Sequence, residues 1–151
     1  MTTAPPDPTA AVLVVRRLIR ASPERVFDAW TRAEHLKQWW GPQSVECIDA
    51  QVDLRVGGTY RIANRFSDGT ILWISGEFEA ILRPDRLVYT WRVGAAAGLG
   101  ERITVTFEPR GADTEVVVVH ERIPTSAMRD MHEQGWLGCL DGLVEYLERR
   151  P

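Results

Sequence analysis

Residues 22–42 read Ser22-Pro23-Glu24-Arg25-Val26-Phe27-Asp28-Ala29-Trp30-Thr31-Arg32-Ala33-Glu34-His35-Leu36-Lys37-Gln38-Trp39-Trp40-Gly41-Pro42, and this stretch decides the fold. Ser22 offers a side-chain oxygen to the unpaired N–H groups of a helix start. Pro23 suits the first helical position, where its missing N–H removes nothing. Glu24 sits beside the positive end of the helix dipole. Val26, Phe27 and Trp30 recur at helical spacing and give the segment one apolar face. The pattern predicts two short helices that end on Trp39-Trp40 and a Gly41-Pro42 stop. Adjacent residues cannot share a helix face, so one tryptophan belongs to the core and the other is free to line something.

At 151 residues the chain has the length of one domain with a substantial core. Six tryptophans are many for that length and call for a large aromatic interior or pocket. A net charge of −3 supplies no basic footprint for nucleic acid. Cys47 and Cys139 stand far apart and read as free, buried thiols of a reducing cytoplasm. No apolar run reaches membrane-spanning length, so no membrane insertion is expected. Residues 1–10, rich in Thr, Ala and Pro, lack the basic and apolar regions of a signal peptide and read as a flexible tail. Residues 11–151 are expected to form the single domain.

After Pro42 the apolar period changes from helical to two. Strands are predicted over Val45–Leu54, Thr59–Phe66, Ile71–Leu82, Leu87–Val93, Ile103–Glu108 and Thr114–Glu121, with Val12–Arg20 ahead of the helices. Gly57-Gly58, Ser67-Asp68-Gly69, Pro84-Asp85 and Pro109-Arg110-Gly111 mark tight turns, and Gly94–Gly100 a small, Gly-rich loop. Such short connections make consecutive strands antiparallel. Alternation gathers Tyr60, Ile62, Asn64 and Phe66 on one face, with Leu87, Tyr89 and Trp91, Val105 and Phe107, and Val116, Val118 and His120. Arg61, Arg65, Thr90, Arg92, Thr104 and Thr106 take the other. One face is therefore covered and one is wet. The strand from Ile71 stays ambiguous, because Trp73 and Ser75 compete with Leu72, Ile74 and Phe78 for the inner side.

The cover is a helix of about 25 residues over Thr125–Arg149, roughly 37 Å long. Trp136, Leu140, Leu143 and Leu147 form its apolar stripe, widened by Met128, Cys139 and Tyr146. Gly135, Gly138 and Gly142 sit at one margin, each costing about 1 kcal/mol against alanine in a helix interior. Close approach to a strand or loop explains them; so does room left for a ligand. The predicted class is α+β: a seven-stranded antiparallel sheet wrapped around a long C-terminal helix, with two short helices between the first two strands.

That order resembles the START-like, or helix-grip, plan of the birch-pollen-allergen fold. Ala21-Ser22-Pro23-Glu24-Arg25-Val26-Phe27-Asp28-Ala29-Trp30-Thr31, His35-Leu36-Lys37-Gln38-Trp39-Trp40-Gly41-Pro42, Asp53-Leu54-Arg55-Val56-Gly57-Gly58-Thr59-Tyr60, and Gly135-Trp136 with Leu140 and Leu143 carry a closer match. Over residues 12–149 they make the chain similar to bacterial proteins related to activators of the heat-shock-protein-90 ATPase. The resemblance implies a cavity for hydrophobic or aromatic small molecules between helix and sheet. The family name also suggests co-chaperone activity. The eukaryotic activators carry a separate N-terminal chaperone-engaging domain for which this chain has no room, which weighs against a chaperone partner.

Catalytic constellations are thin. His35, His120 and His132 show none of the close metal-binding spacings, so no metal is expected. Val56-Gly57-Gly58-Thr59 reads as a hairpin turn and not as a phosphate loop, so no nucleotide or other cofactor is expected. Asp49, Gln51 and Asp53 share a solvated strand face. His120 is in phase with Val116 and Val118, which points it inward at a strand end near the cavity mouth. There it is either a hydrogen-bonded core residue or a ligand-polarising group and general base, the one catalytic candidate. His132, four residues after Met128, and Asn64, polar in an apolar phase, are further anchors. Trp40, Phe66, Trp91, Phe107, Met128 and Trp136 are candidate walls, each of which ordinary core packing also explains. The leading expectation is a binder of a hydrophobic or aromatic small molecule. A cofactor-free cyclase, hydrolase or lyase in the same cavity is the alternative, and a stimulator of a chaperone ATPase the second. Exposed strand edges leave homodimerisation open, though no residue demands it.

Overall fold

The computed structural model describes residues 12–41, 44–94 and 100–149; the expected tail over 1–10 and residues 95–99 of the Gly-rich loop lie outside them. The first strand, β1 (Val12–Ile19), leads into α1 (Pro23–Thr31) and α2 (Ala33–Trp39). Ser22 Oγ accepts the Arg25 N–H at 3.3 Å, with Pro23 at the first position as its chemistry favours. Arg32 takes an extended conformation, ending α1 and starting α2. Gly41 follows with φ +112°, and a Cβ there would lie 2.8 Å from the Val45 carbonyl oxygen. Only glycine takes that conformation with a carbonyl so close.

Six more strands follow: β2 (Val45–Val52), β3 (Thr59–Phe66), β4 (Ile71–Leu82), β5 (Arg86–Val93), β6 (Glu101–Arg110) and β7 (Asp113–Glu121). All neighbours pair antiparallel in the order β1-β7-β6-β5-β4-β3-β2. The α1–α2 connection thus carries the chain from one edge of the sheet to the other. The ambiguity in β4 resolves cleanly. Ile74 and Phe78 are buried, while Trp73 turns to the outer face, where the Arg61 guanidinium lies 4.3 Å from its ring. β6 begins two residues earlier than the sequence expectation, at Glu101, and that shift matters for the site below.

The long helix α3 (Ser126–Arg149) starts at Thr125, whose Oγ1 accepts the Met128 N–H at 3.1 Å. It packs on β1 and α2. Leu140, Leu143 and Leu147 are buried with Phe27, Ile19, Leu87, Val105 and Val116. The C-terminal half of α3 therefore closes the core, and its N-terminal half is left for another task. The tryptophan pair divides as the adjacent spacing requires. Trp39 is core, its Nε1–H bonded to the Ala29 carbonyl at 2.8 Å, and Trp40 faces the space under α3.

Candidate functional site

Beneath the N-terminal half of α3 lies a half-open cavity of about 300 Å³. Its floor comes from β3, β4 and β5 through Asn64, Phe66, Leu72, Ile74, Trp91 and Val93. Its roof comes from one face of α3, through Met128, Met131, His132, Gly135, Trp136 and Cys139. Trp40 and Val45 close one side. Phe66, Met128 and Met131 are exposed and form the rim, whereas Trp40, Trp91 and Trp136 are buried. A second void of only about 20 Å³ lies behind Trp40 and Trp91, against Tyr60 and Tyr89. It has room for little more than a water.

The helix glycines separate by what faces them. A Cβ on Gly142 would lie 2.6 Å from the Trp39 carbonyl oxygen, so its missing side chain permits close approach of α3 to the end of α2. A Cβ on Gly135 would meet nothing within 4 Å. No packing requires that glycine. Its absence of side chain enlarges the cavity at a site where alanine would make a better helix.

Three buried polar atoms of the lining residues have no hydrogen-bond partner among the described residues: the acceptor Asn64 Oδ1, the donor Trp91 Nε1 and His132 Nε2. Buried polar groups are nearly always hydrogen-bonded, so these atoms are exceptions on the cavity wall. Cys139 also lines the cavity, but burial pushes its thiol up to about 12, which makes it a neutral wall.

Beside the cavity, Glu101 stands between two histidines. Its Oε1 lies 2.8 Å from His120 Nε2 and 3.0 Å from His132 Nε2. His120 makes the directed hydrogen bond; His132 Nε2 is nearly as close but is buried without a well-aimed partner among the described residues. The two imidazoles stack with centroids 4.4 Å apart. On the far side of His120, the Trp136 Nε1–H donates to Nδ1 at 3.0 Å. An indole nitrogen only donates, so Nδ1 is bare and the His120 proton sits on Nε2, facing Glu101. Burial, first of all, lowers the His120 pKa, with nearby His132 adding to it and Glu101 opposing. Burial works against the charge of Glu101 too, yet the two histidines outweigh it and bring that carboxyl down to about 2. The result is a carboxylate anchored by a neutral histidine.

Glu101, His120 and His132 bring three ligand-type atoms within 4.8 Å of one another. Spacing along the chain hid this cluster, because its members come from β6, β7 and α3. Its hydrogen positions argue against a metal. An ion on His120 Nε2 would push the proton to Nδ1, directly against the Trp136 N–H.

Residues 20–148 match the family described as Activator of Hsp90 ATPase homolog 1-like protein. The chain belongs to that family. Solved structures repeat the architecture. A Chromobacterium violaceum protein is 28% identical, with a TM-score of 0.81 covering 89% of this chain and 95% of its own. A Rhizobium leguminosarum protein is also 28% identical, with a TM-score of 0.77 covering 93% and 95%. The AHSA1 protein of Silicibacter pomeroyi, at 24% identity and a TM-score of 0.81 over 93% and 100%, shares the fold. No curated protein matches the chain.

Within this family member, the structure gathers Trp40, Asn64, Phe66, Trp91, Met128, His132 and Trp136 around one space. Two expected residues stand apart from it. Phe107 is sealed in the core, edge-on to Phe27 at 5.5 Å and to Trp30 at 5.9 Å. It pairs with Val116, far along β6 from the cavity end at Glu101. His120 does point inward, but it lies behind the rings of Trp91, His132 and Trp136 and is 0% exposed. It supports the lining and is not part of it. The sequence expectation starts this strand at Ile103 and leaves Glu101 ahead of it. Extending the alternation Phe107, Val105, Ile103 by one step would have turned Glu101 inward beside His120.

Proposed function

We infer that the protein binds a neutral, hydrophobic or aromatic small molecule in the cavity between α3 and strands β3–β5. One observation carries this reading: Asn64 Oδ1 and Trp91 Nε1 are buried without partners among the described residues, in a lining that, His132 apart, is apolar. Leaving such a group unmet costs about 1–3 kcal/mol, so a ligand that offers one donor and one acceptor gains both contacts on entry. Apolar walls with a few convergent polar atoms are the usual form of a small-molecule site. Among the described residues no acidic or basic side chain except His132 lines the cavity, which favours an uncharged guest.

The test is titration with 1-naphthol, whose hydroxyl both donates and accepts. Saturable quenching of tryptophan emission and a raised melting temperature are expected. At a hundredfold excess over Kd the stabilisation amounts to about 2.7 kcal/mol. Asn64→Ala and Trp40→Ala should each weaken it. Absence of any quenching or stabilisation, across naphthol and comparable aromatic alcohols, would remove this reading. The family match supports a chaperone-associated role as a second reading; its test is the rate of a purified chaperone ATPase with and without the protein.

A further inference from the structure

The polar end of the cavity is arranged for chemistry as well as for holding. His132 lines the cavity, and its Nε2 is turned toward Glu101, 3.0 Å away. No hydrogen bond to its Nδ1 occurs among the described residues. Glu101 is kept in place from behind by His120, itself fixed by the Trp136 N–H. Trp91 stands edge-on to His132, with centroids 6.3 Å apart, and its Nε1–H is buried without a partner among the described residues. A base and an unused hydrogen-bond donor therefore flank the same part of an apolar cavity.

The geometry points to a proton-transfer site: His132 acts as the base, and Trp91 Nε1–H receives the oxygen on which negative charge develops. Glu101 is a positioning residue whose carboxylate, 3.0 Å from His132 Nε2, stabilises its imidazolium. The substrate class is a neutral, flat, apolar molecule with an acidic C–H beside a carbonyl or equivalent oxygen. In the step, His132 Nδ1 takes the proton and the C–H electron pair moves into a new C=C bond. The carbonyl pair moves onto oxygen, held by Trp91, and the proton later leaves to water or returns at another carbon. Histidine is the side chain most often used as a general base. Oriented donors act strongly on developing charge where water is excluded. The charged and titratable groups placed against His132 from neighbouring strands are Glu101 on β6 and His120 on β7. This inference rests on the cavity being a ligand site.

The probe is 5-nitrobenzisoxazole, which needs only a base. Removal of its ring C–H forms the nitrile as the N–O bond breaks, and the departing pair resides on a coloured phenolate. Wild-type protein should accelerate this over buffer, and His132→Ala should lower kcat by about a hundredfold or more. His132→Gln, closer in volume, guards against a folding defect. Glu101→Gln should lower kcat with little change in KM, and Glu101→Asp should restore part of it, a split that a purely structural role would not give. Trp91→Phe should cost up to about a hundredfold in kcat. Binding is read separately, by tryptophan quenching with the same probe. Quenching without acceleration, or equal rates in wild type and folded His132 variants, overturns the base and leaves the ligand site standing. Loss of the rate in chelator with recovery on added zinc assigns the cluster to a metal and overturns the proposal. No quenching and no acceleration overturns both the proposal and the site beneath it.

Discussion

The Trp136 indole N–H donates to Nδ1 of His120 across 3.0 Å, and His120 in turn holds Glu101 through Nε2 at 2.8 Å. A helix and two strands are joined by this relay, and it fixes the edge of the cavity. Its energetics are visible as a response to acid.

Both titrating members bind fewer protons in the folded chain than in the unfolded one. His120 is lowered from 6.5 chiefly by burial, and Glu101 from 4.5 to about 2, where its histidine partners overcome burial. Stability then rises with pH wherever the unfolded chain holds the extra proton. The contribution of His120 is complete above 6.5 and fades as pH falls below it; that of Glu101 begins to fade below 4.5 and is gone near 2. Melting temperature measured from pH 8 to pH 3 should fall in two stages. Glu101→Gln should start lower at pH 8 and lack the second stage. A profile identical to wild type would mean that the relay contributes nothing.

The glycines of α3 give opposite predictions from one chemical change. Gly135→Ala adds a methyl to open space, so helix propensity alone acts and the protein gains about 1 kcal/mol. Gly142→Ala drives a Cβ into the Trp39 carbonyl and should cost on the order of 1–3 kcal/mol. Urea denaturation of the two variants checks both signs.

Two phenylalanines that share the inner strand phase should separate in the same way. Phe107→Ala empties a fully buried, edge-on aromatic cluster and should cost about 3–5 kcal/mol. Phe66→Ala removes an exposed rim residue and should cost under about 1 kcal/mol while weakening naphthol. Thermal denaturation paired with a fluorescence titration distinguishes them.

Cys47 and Cys139 are free and buried, with burial pushing their thiols up to about 11 and about 12. Neither offers thiolate at neutral pH, the form that reacts. A disulfide reagent at pH 8 should label both at least about a hundredfold faster in denaturant than in the native protein.

Much of this molecule was legible from residue order. Ser22 and Pro23 announced α1, alternation separated Trp91 from Arg92, and the adjacency of Trp39 and Trp40 set them on different faces, both buried, with Trp40 on the cavity side. Alternation identifies a face, however, and not a layer within it. Phe107 and Phe66 share a phase, yet one is sealed and the other is rim, because they lie at different heights along the sheet. The relay was harder still. Glu101 follows a Gly-rich loop that blurs the strand start, and His120 and His132 meet only after α3 folds back across β7. Gly135 and Gly142 look alike in sequence; their difference is made by the carbonyl that one of them faces.

The most direct test of the central claim uses Gly135→Leu beside wild type, both titrated with 1-naphthol. The leucine enters the open space under α3 while improving the helix. Plugged protein should melt at or above the wild-type temperature and show no saturable quenching, where wild type shows it. Equal quenching in both proteins would place the guest elsewhere and contradict the account.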